Sequence, residues 1–510
     1  MDIALGLRRA TMINGTGIAT ICGDRTQTWN EVRERVARMA TVFAANGVTR
    51  GDRVAVLMLN SDRYLELYLA TAWTGTVIVP LNLRWSTAEN QYALKDCGAK
   101  IMIVDDAYLE EGQRLKADFG AALTVFHTGE KPSGDIHDLE QAIAGAALSE
   151  AVENQSADLA GVFYTGGTTG APKGVMLSHG NLVTNALNAL AEGLFGFGTT
   201  YLHAAPMFHL ANGAAMYGVI FNAGTNVILP SFTPVGVLDL IERHRVTDVI
   251  LVPTMLQLVS DCPDIAKYET GSLRRIAYGA SPMNAALVER TVANFPNAKL
   301  TQLYGMTELS PIATVLHNEF HHGAERERGR HLSVGRPTFG VEIRILDPDG
   351  AEVPAGTVGE ICVRADTVML GYWNRPEGTA KAKAGGWMHT GDGGRVDGDG
   401  FVFLADRIKD MIITGGENVY SVEVENVVTA FPGVAQCAVI GIPHEKWGEQ
   451  VHAVIVSKDG RELDTEALVA FCRTHIAGYK VPRSYEFVDS LPLSGAGKVL
   501  KRDLRERHRR

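Results

Sequence analysis

The stretch YTGGTTGAPKG at residues 164–174 combines glycines and threonines with one lysine and lies between two apolar segments. Glycines let backbone N–H groups turn toward an anion, threonine hydroxyls add donors, and the lysine adds a positive charge. No G-x-x-x-x-G-K-[ST] spacing fits it, and the following Val175-Met176-Leu177 predicts a strand rather than a helix. We therefore predict a phosphate-binding loop between two strands. A glycine-rich hairpin without a ligand is the alternative, because such residues are common in connectors.

The length and the charge of the chain limit what this loop can belong to. At 510 residues the chain is too long for one compact core, so more than one domain is expected. A formal net charge of -10 argues against nucleic-acid binding, and the basic run at 501–510 is interpreted as a solvated tail. Six cysteines stand singly with no C-x-x-C pair, which fits neither a disulfide scaffold nor a cysteine zinc site.

The apolar pattern predicts no membrane-spanning segment. The N-terminus has an early acidic residue and no long apolar stretch, and nowhere do about 18 uncharged apolar residues run together. With the single cysteines, this predicts a cytoplasmic protein in a reducing compartment. The sequence does not decide between a monomer and a homodimer.

The fold class predicted is α/β, in a large N-terminal domain of several subdomains and a small α+β C-terminal domain. Short β-rich runs alternate with helical patterns from residue 28 to about 345, which indicates α/β layers with buried strands. After Gly340 short strands and turns indicate a small β-rich subdomain, and 317–331 is interpreted as an exposed loop. We place the domains at 1–405 and 406–510, and in the second we predict helices at 421–430 and 464–475 and strands at 435–440 and 451–456.

Further polar motifs follow the loop in a fixed order. They are YGMTE at 304–308, TGD at 390–392, DRIKD at 406–410 with GGEN at 415–418, and Gly497-Lys498 near the end. With the opening loop, this series resembles the adenylate-forming superfamily of acyl-CoA synthetases, luciferases and peptide-synthetase adenylation domains. The resemblance spans essentially the whole chain. The segments YWNRPE at 372–377 and MIITGGENVY at 411–420 are most similar to those of bacterial fatty-acyl-CoA and aryl-CoA ligases.

The resemblance implies an enzyme that joins a small carboxylic acid to the α-phosphate of ATP, releases pyrophosphate, and then transfers the acyl group to coenzyme A. It implies that Lys498 reaches the carboxylate and the α-phosphate, that Thr307 contacts the α-phosphate, and that Glu308 holds Mg²⁺, a hard cation suited to oxygen ligands. It also implies that the C-terminal domain is mobile, turning about a hinge at Lys409 between the two half-reactions.

The resemblance assigns further residues to ATP or AMP. Asp392 and Arg407 would bind the ribose, the Tyr304 ring would stack on adenine, and Lys173 would hold the leaving pyrophosphate. The remaining residues of this group lie in the glycine-rich loop, in the adenine-side turn and beside Tyr304: Thr165, Gly166, Gly167, Thr168, Thr169, Gly170, Gly279, Ala280, Ser281 and Gly305.

Two more sets complete the site that the resemblance implies. His209 would gate the acyl pocket or steady the carboxylate, with a satisfied core histidine as the alternative. The other pocket residues are Phe208, Met216, Tyr217, Leu303 and Met306, all of which could equally be core. The coenzyme A side would comprise Gly415, Gly416, Glu417, Asn418 and Trp447, the last with a packing role as the alternative.

The sequence departs from the family pattern at two positions. Gly166 stands where serine is most frequent, and Ala496 stands where threonine or serine is usual, so we expect a modest change in ATP handling. Three other functions remain open: an adenylation enzyme that loads a carrier protein, a luciferase-like oxygenase, and a nucleotide sensor, which would not need Lys498. The acid, a medium- or long-chain fatty acid or a cinnamate- or benzoate-like aryl acid, is not decided by the sequence.

Overall fold

The computed structural model describes residues 1–131, 135–165, 172–280, 283, 285–407, 410–415, 417–458, 460, 463–494 and 499–508, with only the backbone described at 285, 407 and 418. The strands up to residue 407 are β1 Ile18–Cys22, β2 Arg25–Thr28, β3 Arg53–Leu57, β4 Val77–Pro80, β5 Ile101–Val104, β6 Thr124–His127, β7 His137–Asp138, β8 Leu159–Thr165, β9 Lys173–Ser178, β10 Thr200–His203, β11 Thr225–Ile228, β12 Asp248–Leu251, β13 Arg275–Gly279, β14 Lys299–Gly305, β15 Ile312–Leu316, β16 Arg336–Pro337, β17 Val341–Leu346, β18 Gly359–Ala365, β19 Gly371–Tyr372, β20 Met388–Val396 and β21 Val402–Arg407.

The helices of the same region are α1 Ala4–Asn14, α2 Trp29–Ala45, α3 Asp62–Thr74, α4 Thr87–Cys97, α5 Leu109–Phe119, α6 Leu139–Gly145, α7 His179–Ala191, α8 Leu210–Gly213, α9 Ala215–Phe221, α10 Pro234–His244, α11 Pro253–Ser260, α12 Ala285–Asn294, α13 Gly323–Glu327 and α14 Pro376–Ala382. Capping residues in the sequence set several of their ends. Thr28 and Glu31 form a capping box at α2, Ser86 and Glu89 form another at α4, and α4 ends at Gly98 in the left-handed conformation.

Two large sheets carry this region. One has nine strands in the order β16-β15-β14-β13-β12-β10-β11-β1-β2, and the other has eight in the order β19-β9-β8-β4-β3-β5-β6-β7. Strands β3, β4 and β5 pair in parallel, and β4 and β5 are buried along their whole length, which explains their continuous apolar runs. The predicted β-rich subdomain is confirmed as the antiparallel sheet β17-β18-β20-β21.

The C-terminal region forms its own sheet and core. Its elements are β22 Ile412–Thr414, β23 Glu417–Val419, α15 Ser421–Ala430, β24 Val434–His444, β25 Gly448–Ser457, α16 Thr465–His475, β26 Ser484–Phe487 and α17 Lys501–Arg507. An apolar cluster that includes Val424, Val439, Val451 and Leu468 packs α15 and α16 on the sheet. The α+β character predicted for this region is confirmed.

The prediction of an exposed loop at 317–331 was right about exposure at residues 322–324, 327 and 328 and wrong about the loop. The segment 317–331 contains the short helix α13 and two 3₁₀ turns instead of an open loop. His321 within it is fully buried and shares a hydrogen bond of 2.8 Å with the Tyr278 hydroxyl. Polar groups of the segment pair with one another, as Arg328 does with Glu325, and with the sheet beneath, as His321 does with Tyr278.

All six cysteines are free thiols, in agreement with the absence of a disulfide framework. Among the helices of the described residues, none combines the length and the apolar character needed to cross a bilayer.

Candidate active site

The first part of the candidate site lies where β13 and β14 end. These strands run in parallel with Gly279 opposite Leu303, so Gly279, Ala280 and Tyr304 share one sheet edge. This is the edge where α/β sheets bind ligands. A Cβ at Gly279 would lie 2.2 Å from the Leu303 carbonyl oxygen, so only glycine fits there. Ala280 has φ +68°, a conformation that favours glycine, and the predicted Ser281 lies outside the described residues.

Tyr304 and Asp392 meet through a hydrogen bond. The Tyr304 hydroxyl donates to Asp392 Oδ2 at 2.9 Å. Both residues are buried, Tyr304 with 8% and Asp392 with 9% of its surface exposed. Asp392 lies on β20 directly opposite Arg407 on β21, whose side chain is not among those described. The Asp392 N–H in turn donates to the Thr390 hydroxyl at 3.1 Å. Tyr304 and Asp392, both predicted for the nucleoside, are thus joined by their side chains, and the backbone of Arg407 pairs with that of Asp392.

A second buried hydrogen bond fixes the acidic residue of the YGMTE motif. Thr307 and Glu308 lie on a 3₁₀ turn after β14, and Glu308 Oε1 accepts from the Tyr372 hydroxyl at 2.9 Å. Burial, and then the charge of Glu308, raise the pKa of Tyr372 above its ordinary value, so this hydroxyl stays protonated and donates. The contact holds one oxygen of the Glu308 carboxylate in a fixed place.

Tyr372 also links Glu308 to the lysine of the opening loop. The Lys173 ammonium lies 5.1 Å from the centre of the Tyr372 ring, within cation–π range. Pairing of β19 with β9 produces this arrangement, since Tyr372 stands opposite Val175 and the Trp373 N–H donates to Gly174 O at 2.7 Å. Tyr372 belongs to the YWNRPE segment, and the sequence alone assigns it no role. Nothing local reveals a contact between residues that are almost 200 positions apart.

The strand–loop–strand arrangement predicted for 164–174 is confirmed at its ends. Thr165 closes β8 and pairs with Lys173 at the start of β9. Both side chains are half-buried. The intervening phosphate-loop residues Gly166, Gly167, Thr168, Thr169 and Gly170 lie outside the described residues, so their role stays a prediction.

The predicted acyl wall follows β10. Phe208, Met216 and Tyr217 are buried in the main apolar cluster, and Met306 packs against the same cluster from the YGMTE turn. Leu303 instead packs against a neighbouring cluster. The His209 ring lies 4.6 Å from that of Phe208.

Two residues that the sequence did not single out anchor this wall. Asn60 Oδ1 accepts from the Met207 N–H at 2.7 Å and its Nδ2 donates to Ala205 O at 2.9 Å. The Tyr68 hydroxyl donates to Met207 O at 2.9 Å, and its ring packs edge-on against Tyr217. They lie about 140 positions before the segment they hold, so only the tertiary fold connects them.

Gly415 and Trp447, predicted for the coenzyme A side, are in contact. The Gly415 N–H donates to Trp447 O at 2.9 Å, and a Cβ on Gly415 would lie 3.0 Å from the indole ring. Lys446 Nζ and the Arg483 guanidinium each lie 4.7 Å from the centre of the indole. Glu417 pairs with Thr414 across the β22–β23 hairpin, whereas Gly416 and the Asn418 side chain lie outside the description.

The boundary between the two regions carries a buried polar network. Asp406 Oδ2 accepts from both the N–H and the hydroxyl of Ser421, each at 2.5 Å, and Lys501 donates to the same hydroxyl. Lys501 also forms an ion pair with Glu425 at 2.7 Å. Burial opposes the charge on Lys501, but Glu425 and Asp406 outweigh it and raise the pKa of Lys501.

The predicted hinge Lys409 and the predicted catalytic Lys498 lie outside the described residues. The segment just before Lys498 contacts the large domain, since Arg84 donates to Ser494 O at 2.8 Å. This bond brings the C-terminal region against the loop before α4.

Comparison with known proteins gives one consistent result. The family model described as AMP-binding enzyme matches residues 8–373, and that described as AMP-binding enzyme C-terminal domain matches 423–498. The chain is 41% identical to a feruloyl-CoA synthase of Amycolatopsis sp, over 98% of this chain and 98% of the relative. It is 35% identical to a long-chain-fatty-acid–CoA ligase of Mycobacterium tuberculosis, over 95% of this chain and 94% of the relative. A solved anthranilate CoA ligase in complex with anthranoyl-AMP superposes with a TM-score of 0.92 at 25% identity, over 100% of this chain and 97% of the other.

Proposed function

The chain belongs to the AMP-binding enzymes of the adenylate-forming superfamily, and we propose that it is an ATP-dependent acid:CoA ligase acting on a fatty or aryl acid. The observation that carries the proposal is the pair of buried hydrogen bonds, Tyr304 to Asp392 and Tyr372 to Glu308, beside Lys173. Together they offer a ribose acceptor, a fixed carboxylate and a cation, contributed by three sheets and by the turn that follows β14.

In the proposed first half-reaction, a carboxylate oxygen of the acid attacks the α-phosphorus of ATP, and the bond to the β-phosphate breaks. The Asp392 carboxylate accepts hydrogen bonds from the ribose hydroxyls, while the Tyr304 hydroxyl donates to one oxygen of that carboxylate. The Arg407 guanidinium adds hydrogen-bond donors beside the same sugar. Lys173 stabilises the departing pyrophosphate by its charge. Lys498 bridges the two anions and offsets their repulsion as they approach.

The Glu308 carboxylate fits Mg²⁺. It is a hard oxygen ligand, its residue is only 6% exposed, and one oxygen is already oriented by Tyr372. When bound, Mg²⁺ would neutralise phosphate charge. Glu308 would hold it, and Thr307 on the same turn would donate to the α-phosphate.

In the proposed second half-reaction, the coenzyme A thiol attacks the acyl carbonyl carbon. The carbon–oxygen bond to AMP breaks, AMP leaves with that oxygen, and the thiol proton passes to solvent. A turn of the C-terminal domain about Lys409 would withdraw Lys498 and bring Gly415 and Trp447 toward the pantetheine arm. The Lys446 and Arg483 cations beside the indole suit a phosphorylated thiol carrier.

The wall formed by Phe208, Met216, Tyr217 and Met306 is apolar, which favours an acid with an aromatic or aliphatic body over a small polar one. His209 at its edge would steady the carboxylate. The feruloyl-CoA synthase and fatty-acid ligase relatives support the same two classes of acid.

The test separates the two half-reactions. Wild-type protein is expected to catalyse acid-dependent ATP–pyrophosphate exchange and to form acyl-CoA, assayed with hydroxycinnamates and with fatty acids of graded length. Lys498→Ala should abolish exchange yet form thioester from pre-made acyl-adenylate. An equal loss of both in a folded variant would contradict the role of Lys498, and transfer only to a phosphopantetheinylated carrier protein would contradict the ligase.

A further inference from the structure

Two histidines and a glutamate converge in the C-terminal region, on the sheet face that α17 covers. They are His452 on β25, Glu486 on β26 and His508 just after α17, and the three donor atoms lie within 4.8 Å of one another. Glu486 Oε2 is 3.1 Å from His508 Nε2 and 3.9 Å from His452 Nε2, and the two imidazole rings are 4.4 Å apart. No residue of the proposed ligase site belongs to this cluster.

His452 contributes a buried donor atom that internal contacts leave unsatisfied. Its side chain is 5% exposed, and within the described structure Nε2 has no hydrogen-bond partner, because 3.9 Å to Glu486 is too long for one. The other ring nitrogen, Nδ1, lies 2.7 Å from the Ser484 hydroxyl. With the proton on Nδ1 and donated to Ser484, Nε2 carries a lone pair, and the donor atoms of Glu486 and His508 lie within 4.8 Å of it. A metal-binding histidine is held in the same way by its other nitrogen.

The spacing of the donors fits a small tetrahedral cation. Zinc bonds of about 2.0–2.1 Å separate neighbouring ligands by roughly 3.4 Å, which lies between the 3.1 Å and 3.9 Å found around Glu486. Two imidazoles and one carboxylate are a typical zinc set, whereas Mg²⁺ prefers oxygen ligands alone. Since His508 and Glu486 are partly exposed, an ion can enter and water can occupy a fourth position.

We propose that His452, Glu486 and His508 form a Zn²⁺ site that fastens the end of α17 to the β25–β26 edge. The site is separate from the Mg²⁺ position proposed at Glu308, and it differs in ligand chemistry. His508 lies ten residues after Lys498 in the chain, so the ion would also restrain the segment that carries this lysine.

The test measures metal binding by the full-length, tag-free protein after chelator treatment. Wild-type protein should bind one equivalent of Zn²⁺ in competition with a chromophoric chelator, should give the visible absorption bands of tetrahedral Co²⁺, and should retain Zn²⁺ in excess Mg²⁺. Glu486→Gln and His508→Ala should each weaken Zn²⁺ binding by at least the factor of about 10–100 that follows the loss of a group supporting a metal ligand, because each removes a ligand itself. The control His475→Ala removes an exposed histidine of α16 and should bind as wild type does.

Circular dichroism of each metal-free variant checks its folding. Should His508→Ala be unfolded, the outcome rests on Glu486→Gln, which preserves the shape of the side chain. The proposal is overturned if wild-type protein binds no Zn²⁺, if Glu486→Gln binds it as tightly as wild type, or if His475→Ala weakens binding as much as the site variants do.

Discussion

Tyr372→Phe tests the part of the site that the sequence alone did not reveal. The change removes the hydroxyl that donates to Glu308 Oε1 at 2.9 Å and keeps the ring beside Lys173. A hydrogen bond to a buried charged acceptor contributes about 1.5–3 kcal/mol, and loss of a bond that orients a metal ligand lowers metal affinity about 10–100-fold. We therefore expect the free Mg²⁺ concentration for half-maximal activity to rise by one to two orders of magnitude.

The assay is acid-dependent ATP–pyrophosphate exchange at fixed ATP, with free Mg²⁺ varied over a wide range. Excess Mg²⁺ should restore most of the activity of Tyr372→Phe, because the cation beside the ring is unchanged. Tyr372→Leu, which also removes the ring, should not be restored to the same level. Tyr108→Phe is the matched control, since its hydroxyl donates to a neutral carbonyl, that of Leu83, at 3.0 Å.

An unchanged Mg²⁺ dependence of folded Tyr372→Phe would refute the role of Glu308 as the Mg²⁺ ligand. A loss of activity that is the same at every Mg²⁺ concentration would refute it equally, because the hydroxyl would then act on something other than the cation.

Three further changes test other contacts. Tyr304→Phe removes the hydrogen bond to one oxygen of Asp392 and should raise the KM for ATP about tenfold or more, while the KM for the acid stays constant. Steady-state kinetics with each substrate varied in turn measures both, and an equal rise in the KM for the acid would contradict this. Trp447→Ala should raise the KM for coenzyme A and spare pyrophosphate exchange, and a loss of exchange would argue for a packing role. Burial lowers the pKa of His203 to about 4. Between pH 7.5 and 5 the His203 side chain therefore takes up a proton in the unfolded chain but not in the folded one, which should lower the free energy of unfolding by about 2 kcal/mol. His203→Gln should therefore show a smaller drop in thermal midpoint over this range than wild type, and equal drops would count against it.

Local patterns predicted the elements but not their partners. The helix expected at 421–430 is α15 with the same bounds, and the strand expected after the glycine-rich loop is β9. The strand expected at 435–440 extends to His444 in β24, because backbone pairing with β25 continues past the apolar run as far as Gly448. Periodicity detects the buried part of a strand and misses its paired, exposed end.

The site shows the same division between local and distant information. The motif order located Tyr304, Glu308 and Asp392 in the sequence, and the structure describes all three. Tyr372 acts through contacts with Glu308 and β9, about 65 and 200 positions away. Asn60 acts through contacts with the segments at Met207 and Leu229, about 145 and 170 positions away. No composition or spacing rule reports such pairs, because sheet order alone creates them.

The bonds from Ser421 to Asp406 join β21 to α15, and Lys409 lies between the two in the chain. The turn proposed about that residue would part these groups and expose the charges around Lys501 to water. Hydration then enters the energy difference between the two arrangements, since a separated buried charge is stable only when solvent reaches it. Solutes that lower water activity should therefore favour the arrangement in which Ser421 and Asp406 are joined, and dilute aqueous buffer should favour the arrangement in which they are parted.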